Sequence, residues 1–309
     1  MRYKGGVKKA FLLAIILGVF SGPARAWDPL GHMIVGQTAY DHLTPKARTA
    51  VDAAVAAFNE KHQAAYTFVT AGCWMDDIRG KTREYNTWHY IELPYNLEAD
   101  PFPVAWQVNA LWAIRLCTDI IRGERTHPGV DKEQALIMLT HIVGDIHQPL
   151  HTTSRANDAG GNKVVVPNIQ DAKVEVFPNW RNLHYFWDGA YRRTFRDGKV
   201  VEVYAEPPAL AEDPVLGHNA AQPLAREHST NLQKIHSAET YPVDGDPETW
   251  VKESHRTGYV EGYQKLPGGE TANPVELDQP YVDQAREITQ QKLVQAGLRL
   301  AGLLNSLYQ

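Results

Sequence analysis

Apolar residues recur at helical spacing along most of the chain and predict a mainly α-helical protein. The clearest case is residues 104–122, where Trp106, Leu111, Leu116 and Ile120 are spaced as on one side of a helix. A buried helix is predicted to begin near Asp131 and to run through the apolar residues 135–144. Further helical segments are predicted at residues 33–43, 45–58, 66–78, 182–188, 223–238, 247–264 and 280–307.

Short valine-rich runs predict a small amount of β structure. Residues 164–166 are three consecutive valines, and residues 174–177 also combine β-branched and aromatic side chains, so together they predict one small hairpin. Residues 87–92 are expected to form a short extended piece. The predicted fold class is therefore mainly α, a single multi-helix domain with a small β-hairpin.

The first 26 residues have the organisation of a secretory signal peptide. Four basic residues lie within residues 1–9, an apolar stretch follows, and Ala24-Arg25-Ala26 supplies the small residues of a cleavage site. The apolar stretch is too short to span a bilayer. We therefore expect residues 1–26 to be removed and residues 27–309 to form the mature domain, secreted or periplasmic and not membrane-bound.

Removal of that segment makes the protein more acidic. Residues 1–26 contain five Lys and Arg residues and no acidic ones, so 26 basic residues would remain against 36 acidic ones, a formal charge of −10. This charge argues against binding nucleic acid through a broad basic surface. A phosphodiester substrate would need a local positive charge, which bound metal ions could supply.

The sequence contains only two cysteines, Cys73 and Cys117. In an oxidising compartment they could form a disulfide, and they could equally remain as buried thiols. Because there is no CxxC motif, a metal site in this chain would have to be built from histidine and carboxylate side chains.

The strongest candidate for such a site lies at the end of the helix that begins near Asp131. His141 and Asp145 are four residues apart and therefore share one helix face. Pro149 ends the helix, so that the chain can turn His151 back toward the same region. His147 is expected to point elsewhere. Taken alone, this segment is also compatible with a buried helix that contains core histidines.

Several other segments repeat this combination of residues. His184 and Asp188 have the same spacing as His141 and Asp145, Asp76 lies near a predicted helix end, and His89 lies between two aromatic residues. Together these segments resemble the three-zinc, single-strand-specific nucleases and 3′-nucleotidases of the S1/P1 family. The matching segments are Trp27 with His32, Trp74-Met-Asp76-Asp-Ile-Arg79, His89-Tyr90-Ile-Glu92, His141-x3-Asp145-x5-His151, Gly160-Gly-Asn162 and Asn182-Leu-His184-x3-Asp188.

The resemblance implies the fold that these nucleases share with zinc-dependent phospholipases C, and it implies three zinc ions. The first would be bound by Asp76, His89, His141 and Asp145. The second would be bound by His32, a bridging Asp145, and the α-amino nitrogen and carbonyl oxygen of Trp27. The third would be bound by His151, His184 and Asp188. Nitrogen and oxygen ligands suit zinc, and incomplete coordination leaves positions for water or phosphate.

The resemblance also implies the substrates and the residues that contact them. RNA and single-stranded DNA would be cleaved to 5′-phosphate products by a monomeric enzyme that also acts on 3′-mononucleotides. Arg79 would neutralise charge on the phosphoryl oxygens, and Tyr90 would stack against a base. Glu92 and Asn162 would contact the base edge.

Two other functions remain open at this stage. Zinc-dependent phospholipases C share the fold and much of the ligand order, but they have Glu where this chain has Asp188, and their interval corresponding to Trp27–His32 is longer. A secreted protein that binds zinc without catalysis would need coordinatively closed sites. Nine candidate ligands shared among three metals argue against closure.

Overall fold

The computed structural model describes residues 27–97, 107–155, 158–204, 213–236 and 246–309. The predicted signal segment, residues 1–26, lies outside the described residues. In the described part the helices are α1 (Pro29–Asp41), α2 (Pro45–His62), α3 (Phe68–Ala71), α4 (Trp74–Asp77), α5 (Ala110–Arg122), α6 (Lys132–Asp145), α7 (Ala172–Val176), α8 (Leu183–Asp188), α9 (Pro214–Ile235), α10 (Pro247–Thr257) and α11 (Gln279–Leu307). The mainly helical fold class is thus confirmed.

Side-chain caps start α2 and α6 where the sequence predicts a helix to begin. Thr44 accepts a hydrogen bond from the backbone nitrogen of Ala47, and Pro45 occupies the first turn of α2. Asp131 caps α6 in the same way through Gln134. Each cap satisfies a backbone N–H group that the helix itself leaves without a partner.

Helices α1 and α6 form the centre of the fold. Helix α1 packs against α3, α9 and α11, and α6 packs against α2, α5 and α11. Helix α6 is buried continuously from Gln134 to Asp145, and α1 from Leu30 to Ala39. A helix that is apolar nearly all round must be surrounded by other elements. The ends of these two helices therefore meet inside the protein, where polar side chains are shielded from water.

The chain after α10 packs closely against the turn that carries His151. Residues Gly258–Gln264 continue α10 as a π-helix. A Cβ atom on Gly258 would lie 2.5 Å from Thr153 Oγ1 and 2.6 Å from the carbonyl oxygen of Pro149. Only glycine therefore allows this close approach. The contact holds the short 3₁₀ turn Pro149–His151 in place.

The β structure exists but not where the valine runs predicted it. The three-stranded sheet has the order β1 (Ile169–Gln170), β3 (Lys199–Glu202), β2 (Arg193–Arg196), with β1 parallel and β2 antiparallel to β3. The hairpin turn is Asp197-Gly198, and both residues have positive φ. An Asp-Gly pair favours a type I′ turn, so this hairpin was recognisable in the sequence although it was not predicted.

The predicted strands fail for identifiable reasons. Residues 174–176 lie in α7, because the Asp171 side chain accepts hydrogen bonds from the backbone nitrogens of Lys173 and Val174 and starts a helix. Val165 forms only an isolated bridge with Asn182. A strong cap thus outweighs the strand preference of β-branched residues.

Three other boundaries also differ from the prediction. Helix α5 starts at Ala110 with an Asn109 cap, and residues 104–106 lie outside the described residues. Residues Asn86–His89 form a 3₁₀ turn, so the extended stretch begins only at Tyr90. Helix α9 starts at Pro214 and contains Pro223 in its interior, because Asp213 supplies an earlier cap.

Two remaining expectations concern the cysteines and the membrane. Cys73 and Cys117 are both buried and form no disulfide, so the thiol alternative holds in this structure. Among the described helices, none has both the length and the apolar character that crossing a membrane requires.

The contact between α1 and α11 gives a test of the packing. A Cβ atom on Gly297 would lie 2.5 Å from Thr38 Cβ and 2.9 Å from the carbonyl oxygen of Val35. We expect Gly297→Ala to lower the free energy of unfolding by about 1–3 kcal/mol through overpacking, measured by denaturant titration. Gly80→Ala is the control, since a Cβ there would contact nothing within 4 Å. Equal stability of the two variants would contradict this packing.

Candidate metal centre

The last turn of α6 places two candidate ligands together. His141 Nε2 lies 3.2 Å from Asp145 Oδ2, and both side chains are completely buried. Their spacing of four residues puts them on one face of the helix, as the sequence predicts. Helix α6 ends at Asp145, and its final turn faces the interior of the protein.

Two further side chains reach this pair from separate segments. His89, at the end of the 3₁₀ turn, has its Nδ1 atom 3.0 Å from Asp145 Oδ2 and 2.9 Å from His141 Nε2. Asp76, on the short helix α4, has its Oδ1 atom 3.9 Å from His89 Nδ1. The four residues predicted for the first metal are therefore brought together.

The first turn of α1 adds His32 on the other side of the carboxylate. His32 Nε2 lies 3.4 Å from Asp145 Oδ1, and its ring stacks on His141 with 4.0 Å between centroids. The two oxygens of Asp145 thus face different histidines, which is the arrangement of a carboxylate that bridges two metal ions. His32 also forms a possible metal-binding group with Asp76 and His141.

A third group lies on the turn after α6 and on α8. His151 Nε2 and His184 Nε2 are 3.2 Å apart, and His184 Nε2 lies 3.6 Å from Asp188 Oδ1. The Asn182 side chain caps α8 and so fixes where the helix that carries His184 begins. These three ligands are the set predicted for the third metal.

Backbone carbonyl groups fix the orientation of three of these histidines. The Nδ1 atoms of His141, His151 and His184 lie 2.6–2.7 Å from the carbonyl oxygens of Gly72, His89 and Gly160. A carbonyl oxygen can only accept, so each Nδ1 carries a proton, and Nε2 is the ring nitrogen that faces the site. The sequence predicts the imidazoles, but the carbonyl groups are brought to them only by the fold.

The contact between the Gly160 carbonyl oxygen and His184 explains why glycine occurs in the Gly160-Gly161 pair. Gly160 has φ +61°, and a Cβ atom there would lie 2.4 Å from the carbonyl oxygen of Leu150. A side chain would push the loop away from His184. The glycines therefore allow the loop to approach a metal ligand closely.

Buried atoms without hydrogen-bond partners show that the side chains fit a metal. Within the described residues these atoms include both ring nitrogens of His32, Oδ2 of Asp76, Nε2 of His89 and Oδ1 of Asp145. Buried polar atoms are normally hydrogen-bonded, and each exception needs an explanation such as an ion. Bound metal ions would satisfy those that face the centre, and a set of imidazoles and carboxylates suits zinc.

A sequence profile described as S1/P1 Nuclease matches residues 27–309. This chain belongs to the S1/P1 nuclease family. The match confirms the resemblance that the motifs carry, and it favours a nuclease over the related phospholipases. Nucleases of this family are generally metal-dependent, in agreement with the three groups of histidine and aspartate.

Curated relatives of the nuclease are distant in sequence but similar in length. Endonuclease 1 of Arabidopsis thaliana is 23% identical over 318 residues, which cover 99% of this chain and 95% of the relative. Endonuclease 3 of the same plant is 24% identical, with 95% and 93% covered. Nuclease P1 of Penicillium citrinum is 21% identical, with 91% and 98% covered. The chain is thus a nuclease, a hydrolase of phosphodiester bonds.

Two of the clustered histidines are held in the neutral form that binds a metal. Burial, together with the charge of His141, lowers the pKa of His32 to about 3, and burial lowers the pKa of His89 to about 4. Burial also opposes protonation of His141, but the Asp145 carboxylate outweighs it and raises that pKa to about 8. His32 and His89 are therefore neutral at pH 7, the form in which imidazole binds a metal.

The buried Asp188 carboxylate can be ionised only if a positive charge lies nearby. Burial raises the pKa of its carboxyl group well above the ordinary value, so its ionised form needs a cation beside it. The completely buried Gln148 donates a hydrogen bond of 2.6 Å from Nε2 to Asp188 Oδ1 and orients the carboxylate. Gln148 was not among the predicted site residues, although it lies between Asp145 and His151.

Glycine just before Asp145 gives the start of α1 room to lie close to the end of α6. A Cβ atom on Gly144 would lie 3.2 Å from His32 Nδ1 and 3.7 Å from Trp27 Cδ1. The indole nitrogen of Trp27 donates a hydrogen bond of 2.8 Å to the Gly144 carbonyl oxygen. Absence of a side chain thus lets residues 27–32 lie directly against the end of α6.

Of the four residues predicted to contact substrate, Arg79 adjoins the cluster directly. Arg79 Nη1 is 3.3 Å from Asp76 Oδ1. Tyr90 is half-buried in extended backbone, so it projects to the same side as the exposed Glu92. Asn162 donates from Nδ2 to the Ala159 carbonyl oxygen within its own loop.

His147 does point away from the centre, as the sequence predicts. Its Nδ1 atom lies 2.7 Å from the Val143 carbonyl oxygen. Its Nε2 atom lies 3.1 Å from Nη1 of the buried Arg299. Both ring nitrogens are therefore engaged in the core, and His147 belongs to none of the three groups.

The contact between Gln148 and Asp188 gives a test of the third group. We expect Gln148→Ala to weaken binding of one Zn²⁺ ion by about 10- to 100-fold, as is typical when a partner of a ligand is lost. Competition with a chromophoric chelator measures this affinity. Gln37→Ala is the matched control, because Gln37 is also buried but its side chain contacts Asp41. Unchanged zinc affinity in Gln148→Ala would contradict the role assigned to Gln148.

Proposed function

We propose that residues 27–309 form a secreted or periplasmic, zinc-dependent endonuclease that hydrolyses RNA and single-stranded DNA to 5′-phosphate products. We further propose that it acts on 3′-mononucleotides and is a monomer. The observation that carries the proposal is the bridging position of Asp145, whose two oxygens face two histidine groups in a chain of the S1/P1 nuclease family.

We propose three zinc ions with the following ligands. Asp76, His89, His141 and Asp145 bind the first. Trp27, His32 and the bridging Asp145 bind the second. His151, His184 and Asp188 bind the third. The buried groups His89-His141-Asp145 and His151-His184-Asp188 support the first and third sets, and the distance of 3.4 Å from His32 Nε2 to Asp145 Oδ1 supports the second. The third set has only three side-chain ligands, which leaves a position for water or phosphate.

Trp27 requires cleavage of the chain before it can contribute fully. Its nitrogen is an amide while residues 1–26 remain attached, and it becomes an amine only when the bond after Ala26 is broken. Two contacts support its role: the indole bond to Gly144, and a hydrogen bond of 3.2 Å from the Asp28 nitrogen to the Asp188 carbonyl oxygen. These contacts hold the start of the mature chain between His32 and Asp188.

The residues of the chain position the substrate around the metals. Bound zinc supplies Lewis acidity, which activates water and neutralises charge on phosphoryl oxygens. Arg79 is almost completely buried beside Asp76, so its guanidinium group adds positive charge at a fixed position for the developing phosphoryl charge. The shielding of the centre from bulk water strengthens these interactions.

Base binding is assigned to Tyr90, Glu92 and Asn162. Burial raises the pKa of the Tyr90 hydroxyl above its ordinary value, and the charges of Glu92 and Arg79 both act on it. Tyr90, Glu92 and Arg79 therefore lie in one region. Stacking on Tyr90 tolerates any base, whereas Glu92 and the Asn162 carbonyl oxygen can accept hydrogen bonds from a base edge. A flexible single strand can present an unstacked base to this surface, but a duplex cannot.

Substrate assays test the proposed function directly. The protein that begins at Trp27 is assayed side by side on RNA, single-stranded DNA, duplex DNA, a 3′-mononucleotide and phosphatidylcholine, with and without chelator. We expect chelator-sensitive cleavage of the two single-stranded polymers and of the mononucleotide. Cleavage of lipid alone would identify a phospholipase, and bound zinc without any hydrolysis would identify a binding protein.

Replacement of the bridging carboxylate tests the metal assignment. We expect Asp145→Ala to lower nuclease activity by more than about 100-fold. This is more than the loss that is typical when a residue that only supports a metal ligand is replaced. Metal analysis should show fewer zinc ions per chain. His147→Asn is the matched control, since His147 is equally buried at the same helix end but belongs to no metal group. Full zinc content and activity in Asp145→Ala would overturn the mechanism.

Replacement of Tyr90 tests base stacking. Loss of one stacked base amounts to about 1–3 kcal/mol, so kcat/KM for single-stranded DNA should fall roughly 5- to 150-fold in Tyr90→Ala. Tyr90→Phe keeps the ring and should keep most of the activity. Equal kcat/KM in Tyr90→Ala and the unchanged protein would show that the base binds elsewhere.

A further inference from the structure

A basic pocket outside the metal centre lies between the segment that follows Tyr90 and helix α10. Its volume is about 250 Å³. The segment contributes an apolar wall, and α10 contributes the charged side chains. The lining residues are Leu93, Pro94, Asn96, Leu97, Lys252, His255 and Arg256.

All the ionisable side chains that line this pocket are basic ones. Lys252 and Arg256 are four residues apart and therefore share one face of α10. Lys252 also pairs with Glu248 at 3.2 Å. Arg256 is exposed and makes no ion pair with any described residue. In a protein with more acidic than basic residues, such a pocket favours an anionic ligand.

The pocket is joined to the metal centre by hydrogen bonds. The Ile91 nitrogen donates to the carbonyl oxygen of the ligand His151 at 2.9 Å, and Leu93 forms a bridge with Thr153. His255 Nδ1 lies 3.0 Å from the Thr152 carbonyl oxygen, to which it donates. The two walls of the pocket are thus attached to the same short segment that carries His151.

The distance from the base-stacking residue suits a continuous strand. Leu93 is three positions after Tyr90 along the chain, a span of at most about 11 Å. Stacked nucleotides are spaced about 3.4 Å apart along one strand, so the pocket lies within a few nucleotides of Tyr90.

We propose that this pocket binds a nucleotide of the single-stranded substrate that lies a few positions along the strand from the one held at the metal centre, beyond the reach of a dinucleotide. Arg256 and Lys252 contact its phosphate, and the exposed apolar surface of Pro94 and Leu97 receives the base. Leu97 is 38% exposed and provides apolar surface for a base face. The proposal rests on the proposed nuclease function and extends it, because it makes the enzyme prefer polynucleotides over short substrates.

Chain-length dependence tests the proposal. The zinc-loaded enzyme and its Arg256→Ala, Arg256→Glu and Arg256→Lys variants are assayed on a dinucleotide and on a ten-nucleotide single strand. For the longer strand, Arg256→Ala should raise KM by roughly two- to fivefold, the range for one exposed ion pair. Arg256→Glu should raise it further, and Arg256→Lys should retain most of the affinity. Rates on the dinucleotide should not change.

Salt dependence supplies a second measurement. For single strands, each phosphate contact that is lost should flatten the slope of log affinity against log salt by about 0.7. Lys46→Ala is the control, since Lys46 is an exposed cation on α2 that does not line the pocket. It should leave the slope and the KM for the longer strand unchanged.

The outcomes separate this inference from the proposed function. If the unchanged enzyme cleaves single strands but Arg256→Glu has the same KM and salt slope for the longer strand, the pocket does not bind substrate. An equal loss on the dinucleotide would also overturn the inference, because it would indicate damage to the metal centre. If the unchanged enzyme cleaves no nucleic acid, the proposed function itself fails.

Discussion

A carboxylate that is completely removed from water must be compensated by nearby positive charge or by hydrogen bonds. Asp145 is such a group, since it is 0% exposed. Its oxygens face His32 on one side and His89 and His141 on the other. One protonated histidine offsets its charge only in part, and Oδ1 still has no hydrogen bond. Divalent ions between these groups would remove both deficits, so the fold around Asp145 is arranged for metal binding.

The two central helices explain how such a carboxylate comes to be buried. Helices α1 and α6 are covered on nearly all sides, and the first turn of α1 and the last turn of α6 lie in the interior, each with candidate ligands. Glycine at position 144 lets these ends touch. Backbone carbonyl groups, such as that of Gly72, then fix which ring nitrogen each histidine presents. The metal centre is thus a consequence of helix packing and of loop geometry together.

The sequence was sufficient for much of this picture and insufficient for identifiable parts. The spacing His141-x3-Asp145 depends only on local helix geometry, and it correctly predicted that the two side chains adjoin. The strand prediction for residues 174–177 was wrong because the Asp171 cap starts a helix there. The role of Gln148 was missed because its partner, Asp188, lies 40 residues further along the chain. Contacts between distant segments depend on tertiary packing, which single-sequence patterns do not contain.

The most direct test of the account is to locate the metal ions in crystals of the protein that begins at Trp27. Anomalous scattering at the zinc edge should show three peaks: two on either side of Asp145, and one between His151, His184 and Asp188. A protein that retains one extra residue before Trp27 should lose or weaken only the peak beside His32. A single peak, or three peaks away from these residues, would contradict the account.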